Sequence, residues 1–330
     1  MRVQVIADSR GPNGKRIITF KGLYPRFIHS EHLRHRTQSF SVASSRAIPA
    51  AKLLEQVKEQ PAMPILWPKQ HKGMQGAEVF TDRDEIYWYE EQWLHARNAM
   101  VEASEELSEG TSLSEDGLSK QLTNRLLEPW VETQCVYTAT EWDGFFKLRC
   151  PHVVRSGSKT ADGKVEVTWG KEIDLTFPAE YNIQQLALLT KEAMESSEPK
   201  QLGAGEWHLP FIEAEDRDYA REDGNILVKL SAARCAMTSY NRNSGKSVDS
   251  ELELASRLVT GAHWSPFEHQ AQAVDSESFL EQGSVRVHKI PDGMQMRVSN
   301  TNTVSFWSRN LQGWVQARAL LETNNLGGLI

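Results

Sequence analysis

Apolar and polar residues alternate from the first residues of the chain. Val3, Val5 and Ala7 recur at every second position, and beyond Asn13-Gly14 the run from Arg16 to Tyr24 is rich in β-branched and aromatic residues. This predicts two strands joined as a hairpin, because Asn-Gly supplies the backbone freedom that a tight turn requires. The period then lengthens. Pro25 to Leu33, with Phe27, Ile28 and Leu33, predicts a helix that carries Arg34-His35-Arg36 near its end. Ala50 to Glu59 predicts a short amphipathic helix after Pro49, and Asp84 to Leu107 a long one with apolar positions at helical spacing. Between these two lies a Pro/Gly-rich loop holding Pro61, Pro64, Pro68, Gly73 and Gly76. Further helices are expected over 119–127, 142–148 and 179–194, regular structure over 227–240, and a clear helix over 250–260. Cys150 to Pro178 turns strand-like around Asp162-Gly163 and reads as an inserted hairpin. Residues 196–210 have the composition of a linker, 275–303 are polar and weakly patterned, as in a mobile or β-rich excursion, and 314–321 predict a closing helix.

Composition narrows the class. At 330 residues the chain is long enough to bury a sizeable core, and 39% hydrophobic with 25% charged residues describes an ordinary globular protein. No apolar run approaches the roughly 20 residues of a membrane span, and the start lacks a signal-peptide pattern, so no membrane partner is expected. Three cysteines (Cys135, Cys150, Cys235) are too few for a disulfide framework and lack paired metal-ligand spacing, which suits a reducing, cytoplasmic setting. The formal net charge of −7 argues against a nucleic-acid partner, which calls for a large basic face.

Against that acidic background one run stands out. Pro25 to Pro49 holds Arg26, Arg34, Arg36 and Arg46 against a single acid, Glu31, and its hydroxyls include Ser44 and Ser45. Guanidinium forks match phosphate oxygens and hydroxyls add donors without charge, so Ser44-Ser45-Arg46 is expected to cradle a phosphate. Within the same run His29, His32 and His35 stand three apart; on a helix that spacing spreads the rings over a wide arc, which is poor for one metal ion, and no metal is expected. Two other constellations carry chemistry. Arg149 ends the aromatic-rich segment Trp142-Asp-Gly-Phe-Phe-Lys-Leu-Arg149, with Arg125 upstream; it is either a helix-terminal cation or a ligand contact. His263-Trp-Ser265-Pro-Phe-Glu268-His269 is either a turn punctuated by Ser265 and Pro266 or a polar loop facing a ligand.

Taken together these motifs resemble the flavin-dependent thymidylate synthases. Arg34-His35-Arg36, seven residues and Ser44 match that family's signature, and His263-Trp-Ser265-Pro-Phe-Glu268-His269 matches its second marker. Leu148-Arg149 followed by the helix from Ala179 to Ala187 matches the third. In the family the Pro-Phe-Glu-His segment precedes Arg-His-Arg, whereas here it follows by more than two hundred residues. That order implies a circularly permuted member, joined through about 196–230 and similar to a phage-type branch, with one catalytic domain over 1–330.

The resemblance implies an α+β fold, a mixed or antiparallel sheet with flanking helices, assembled as a homotetramer with sites at subunit interfaces. It implies methyl transfer to dUMP, with FAD as cofactor and methylenetetrahydrofolate and NADPH as co-substrates. Arg34, His35, Arg36 and Thr37 would contact the flavin, and His263, Ser265 and Glu268 would line the flavin or folate side. Glu31, Arg34, Ser44, Ser45, Arg46 and Arg125 would bind the nucleotide, and Arg149 would be catalytic, opposing negative charge on the uracil ring. Several positions depart from the family: Val42, Thr138 and Thr140 replace residues that touch ligand or flavin there, Ser41 replaces a common Asn, and Gly144 replaces a helix Asn. A hydroxymethyl product on dUMP or dCMP is therefore the alternative chemistry, and a non-catalytic nucleotide-binding protein the alternative of another class.

Overall fold

The first two strands, β1 (Arg2–Arg10) and β2 (Arg16–Pro25), pair antiparallel across the Asn13-Gly14 turn, where Gly14 takes a φ of 78° that a side chain would strain. This computed structural model describes residues 1–73, 76, 78–110, 116–159, 165–221, 223–242, 245, 247–275, 286–289, 295–298 and 308–322. Ile17, Ile18, Thr19 and Phe20 are consecutive and all fully buried, so both faces of β2 must be covered. They are. β3 (Ser39–Val42), β4 (Glu132–Ala139), β2 and β1 lie side by side and antiparallel.

On one face, Ile18 and Phe20 pack with Trp142, Phe145 and Phe146 of and beside α5 (Asp143–Arg149) and with Ile183, Leu186 and Ala187 of α6 (Tyr181–Glu195). Each fully buried Ile, Leu or Phe contributes about 1.5–3 kcal/mol, so this layer fixes where α5 ends. On the other face, Ile17 meets Leu202, Ala271, Ala273, Leu311 and Trp314. A third cluster packs α2 (Ala50–Glu59) and α3 (Arg83–Glu109) through Leu53, Val57, Val101, Leu127 and Trp130.

The expected linker at 196–210 is instead woven into two sheets. β7 (Lys200–Gln201) adds parallel to β1, completing a mixed five-stranded sheet in the order β3-β4-β2-β1-β7. β8 (Trp207–His208) joins β9 (Ala271–Ala273) and β12 (Trp314–Gln316) in a second sheet. Its linker-like composition reflects the turns between short strands. For the same reason the expected helix at 314–321 begins as strand: Trp314 to Gln316 pair with β9, and only then does α10 (Ala317–Glu322) start.

The other elements follow the sequence reading closely. α2 spans the predicted residues, and Asp82 caps α3 by accepting from the backbone of Asp84 and Glu85. The segment over 119–127 is α4 (Lys120–Thr123) continued as a 3₁₀ turn through Trp130. α7 (Ala214–Ala220), α8 (Gly224–Met237) and α9 (Val248–Thr260) form the layer beyond the second sheet. β5 (His152–Lys159) and β6 (Val165–Trp169) pair as a separate hairpin, although its expected Asp162-Gly163 turn lies outside the described residues. Of the 275–303 stretch, β10 (Arg286–Lys289) and β11 (Gln295–Val298) pair antiparallel, and residues 276–285, 290–294 and 299–303 lie outside the described residues.

Candidate functional site

The Arg-His-Arg segment is a tightly wound turn. It leaves β2 through a 3₁₀ turn and the short α1 (His29–His32), after which the amides of Arg34 and His35 bond back three residues, to Glu31 and His32. Bonds of that kind make three residues per turn, so side chains three apart line up. His29, His32 and His35 are all buried, the first two within α1, where the Leu33 amide bonds back four residues to the His29 carbonyl. Tyr24 Oη lies 2.9 Å from His29 Nδ1 and 3.1 Å from His32 Nδ1, and His32 Nε2 lies 2.9 Å from Gln38 Oε1. Only a protonated Nε2 on His32 satisfies Gln38, so its Nδ1 accepts from Tyr24, which accepts in turn from His29. Burial pushes His29 down to about 4 and His32 to about 3, keeping both rings neutral. The same winding turns Arg34, Arg36 and Thr37 outward.

α5 delivers Arg149 to this turn. Phe145 packs edge-on against His35 with ring centroids 4.8 Å apart, which sets the helix end beside it. Arg149 Nη1 donates to Glu31 Oε2 at 2.9 Å and Nε donates to His35 Nε2 at 3.2 Å. Residues 118 and 114 apart in sequence thus share one guanidinium. Burial first, then the Arg149 and Arg34 charges, lower His35 to about 4, so it accepts as a neutral ring. Burial raises Glu31 although Arg149 opposes the shift. Among the described residues the second terminal nitrogen of Arg149 has no partner.

β3 runs from this turn to Ser44-Ser45-Arg46. The Ser44 carbonyl accepts from the amides of Ala47 and Ile48, and Asn124 Nδ2 donates to the carbonyls of Ser45 (2.7 Å) and Ile48 (3.0 Å). Ser44 is half-buried and Arg46 exposed. Arg125, beside Asn124, is also exposed, its Nε donating to the Gln121 carbonyl at 3.1 Å. Ser45 is the surprise. Its buried hydroxyl donates to Glu128 Oε1 at 2.6 Å, and Arg26 bridges the Ala43 carbonyl (2.9 Å) and Glu128 (3.6 Å). An internal carboxylate therefore sits on a donor expected to face a phosphate.

The third segment reaches the same strand from the far end of the chain. His263 and Ser265 are exposed, and Glu268 is ion-paired with Arg318. Its last residue, His269, makes the join: Nε2 lies 2.9 Å from Ser41 Oγ and Nδ1 2.8 Å from Thr138 Oγ1. The chain of bonds continues through Thr19 (2.7 Å), His208 (2.9 Å) and Ser9 (2.9 Å), crossing the sheet. Burial pushes His208 and His269 down to about 3. Thr37 is tied differently, donating to the Glu141 carbonyl at 3.2 Å.

The structure thus brings together Glu31, His35 and Arg149 directly, and the 34–46 and 263–269 segments through His269. Arg34, Arg36, Arg46, Arg125, His263 and Ser265 extend outward and no contact among the described residues joins them to Arg149. Sequence reasoning missed Asn124, Glu128 and His269 as working parts. Asn124 and Glu128 lie outside the motifs read above and His269 closes one of them, but the partners of all three are far away in sequence. The cysteines are free and buried, and burial raises Cys135 to about 12 and Cys150 to about 11, so neither is a thiolate at neutral pH. Among the described residues no cluster of three or more His, Cys, Asp or Glu is arranged to hold a metal, and no helix is long and apolar enough to cross a membrane.

No family model and no curated protein matches the chain. Among solved structures it is similar to a UMP/dUMP methylase, PolB from Streptomyces cacaoi. With the form bound to 5-Br dUMP the identity is 16% and the TM-score 0.37, covering 54% of this chain and 66% of that one, just under two thirds of its length. With the form bound to 5-Br UMP the values are 13% and 0.40, covering 58% and 88%. At these scores the likeness stands as a similarity only, and the functional reading rests on the chain's own residues.

Proposed function

We propose that this protein is a flavin-dependent thymidylate synthase that transfers a one-carbon unit from methylenetetrahydrofolate to C5 of dUMP and, with NADPH as reductant, yields dTMP. The observation that carries the reading is the engagement of Arg149 with Glu31 and His35. It joins two motifs of the resemblance in one polar cluster and holds a cation ready to oppose charge developing on a pyrimidine ring. Neutral His35 orients the guanidinium without adding charge, and Glu31 fixes one terminal nitrogen while the other is left for ligand. Ser44, Arg46 and Arg125 take the nucleotide phosphate.

Arg34 and Arg36 would hold the anionic part of FAD: both guanidiniums are exposed, and no hydrogen bond or ion pair ties either to another described residue. Thr37, His263, Ser265 and Glu268 would border it. When bound, the reduced flavin supplies the hydride, and the protein supplies position and charge. Among the described residues no contact joins Arg46 or Arg125 to Arg149, and the reading includes a homotetramer whose subunits complete one another's sites.

A second reading, hydroxymethyl transfer to dUMP or dCMP, is favoured by one observation. Thr138, at a position that contacts flavin in the family, is bonded to His269, as is Ser41, which replaces a common Asn, so the pocket differs there. Mass analysis of the product from dUMP and from dCMP, with FAD, NADPH and methylenetetrahydrofolate supplied, tests both. A methylated uracil nucleotide supports the first reading and a hydroxymethylated product the second. Protein that binds neither FAD nor dUMP overturns both.

A further inference from the structure

The Ser45–Glu128–Arg26 contact is not used by the function above and runs against the expectation for a phosphate cradle. Glu128 comes from the 3₁₀ turn Asn124–Trp130, the same turn that carries Arg125 and, through Asn124, grips the Ser45 and Ile48 carbonyls. It accepts the Ser45 hydroxyl at 2.6 Å and faces Arg26 at 3.6 Å. Arg26 is itself anchored to the Ala43 carbonyl at 2.9 Å, so its charge stays beside the turn. Arg26 lies inside the turn beside Glu128, whereas Arg46 and Arg125 are exposed, and each directly follows a residue, Ser45 or Asn124, that the Asn124–Ser45 bond holds in place.

We propose that Glu128 is the specificity determinant of this cradle, matching it to a phosphate monoester. The proposal rests on the reading of Ser44, Arg46 and Arg125 as a phosphate site. By neutralising Arg26, Glu128 leaves Arg46 and Arg125 as the charge a ligand meets, which balances the two negative charges of a nucleoside monophosphate. A diphosphate or triphosphate brings more charge than the cradle offsets and lies close to a fixed carboxylate. Like charges at such range in a partly buried site are costly, and this is how a repulsive element selects among ligands that share the same attractive contacts. Glu128 also occupies the Ser45 hydroxyl in the free protein, so an incoming phosphate must take that donor from it.

The test is equilibrium binding of dUMP and dUDP to the full chain and to E128Q, with R46A alongside. Gln keeps an acceptor for Ser45 and removes the charge. The expected result is dUMP binding tightened several-fold by E128Q and dUDP binding tightened by a larger factor, so that discrimination between them shrinks. A merely structural role for Glu128 predicts weaker binding of both. Unchanged or equally shifted affinities in E128Q, with R46A still weakening dUMP at least tenfold, overturn the proposal and leave the phosphate site standing. If R46A leaves dUMP affinity unchanged, the phosphate reading itself fails, and the proposal with it. Should E128Q not fold, R26Q probes the same balance from the other side. It should weaken dUDP more than dUMP, and an equal effect on both overturns the proposal.

Discussion

Arg149 shows how one side chain is prepared by its neighbours. A guanidinium at a helix end would ordinarily range over solvent, but Glu31 and His35 fix two of its nitrogens at 2.9 and 3.2 Å. The fork geometry matters, because a lysine at the same place could hold neither partner in the same way. Arg149→Lys is expected to lower kcat by about 10²–10³-fold, the scale of losing one aligned transition-state donor, with a smaller change in KM. Steady-state kinetics on dUMP read this directly; a change confined to KM would mean that Arg149 only binds. That an arginine closes the aromatic segment was legible in the sequence. That it meets Glu31 and His35 was not, because the packing of Phe145 on His35 makes the meeting, and sequence spacing carries no trace of it.

Two polar assemblies lock elements together. The chain of bonds from Ser9 through His208, Thr19, Thr138 and His269 to Ser41 ties β1, β8, β2, β4, the 265–269 turn and β3 into one unit. Each member between the two end serines has a partner on either side, so removing one leaves two groups short. Thr138→Val keeps the shape and removes the hydroxyl; it is expected to cost about 1–3 kcal/mol, read from urea unfolding. The second assembly sits on α8, where Arg234 holds Asp216 through two bonds of 2.5 and 2.7 Å and Glu251 at 2.9 Å. Both acids are buried, at 6% and 4% exposure, so Arg234→Leu would strand two carboxylates. Breaking a buried ion pair from one side costs about 3–5 kcal/mol, enough to remove much of the stability of an ordinary domain. A melting temperature within a few degrees of the parent would contradict that role.

For the whole molecule, the buried imidazoles set the response to acid. His29, His32, His35, His208 and His269 are all held neutral, at about 4, 3, 4, 3 and 3. The unfolded chain takes up these protons near pH 6.5 and the native fold does not, so stability is complete above about pH 6.5 and falls as pH drops towards 4 and 3. Each of the three fully buried rings, His32, His208 and His269, removes about 1.4 kcal/mol per pH unit inside that window. Urea midpoints should therefore fall steeply from pH 7 to pH 5, and a flat profile would show that the rings are protonated in the native state. Replacing His32 with a neutral residue of similar shape should flatten the slope as well as lower stability.

The sequence by itself determined the parts whose causes are local. The hairpin turn, the helices over 50–59 and 84–107, the helix delivering Arg149 and the cationic run at 34–46 follow from turn chemistry, periodicity and charge within a few residues. Tertiary structure alone decided the partners. It turned three histidines inward, converted a linker-like stretch into strands of two sheets, and placed Glu128 on Ser45 and His269 on Ser41. The last pair lies 228 residues apart in sequence, and the buried polar groups concerned are satisfied only by groups that folding brings to them. No single stretch of sequence contains both halves of such a contact.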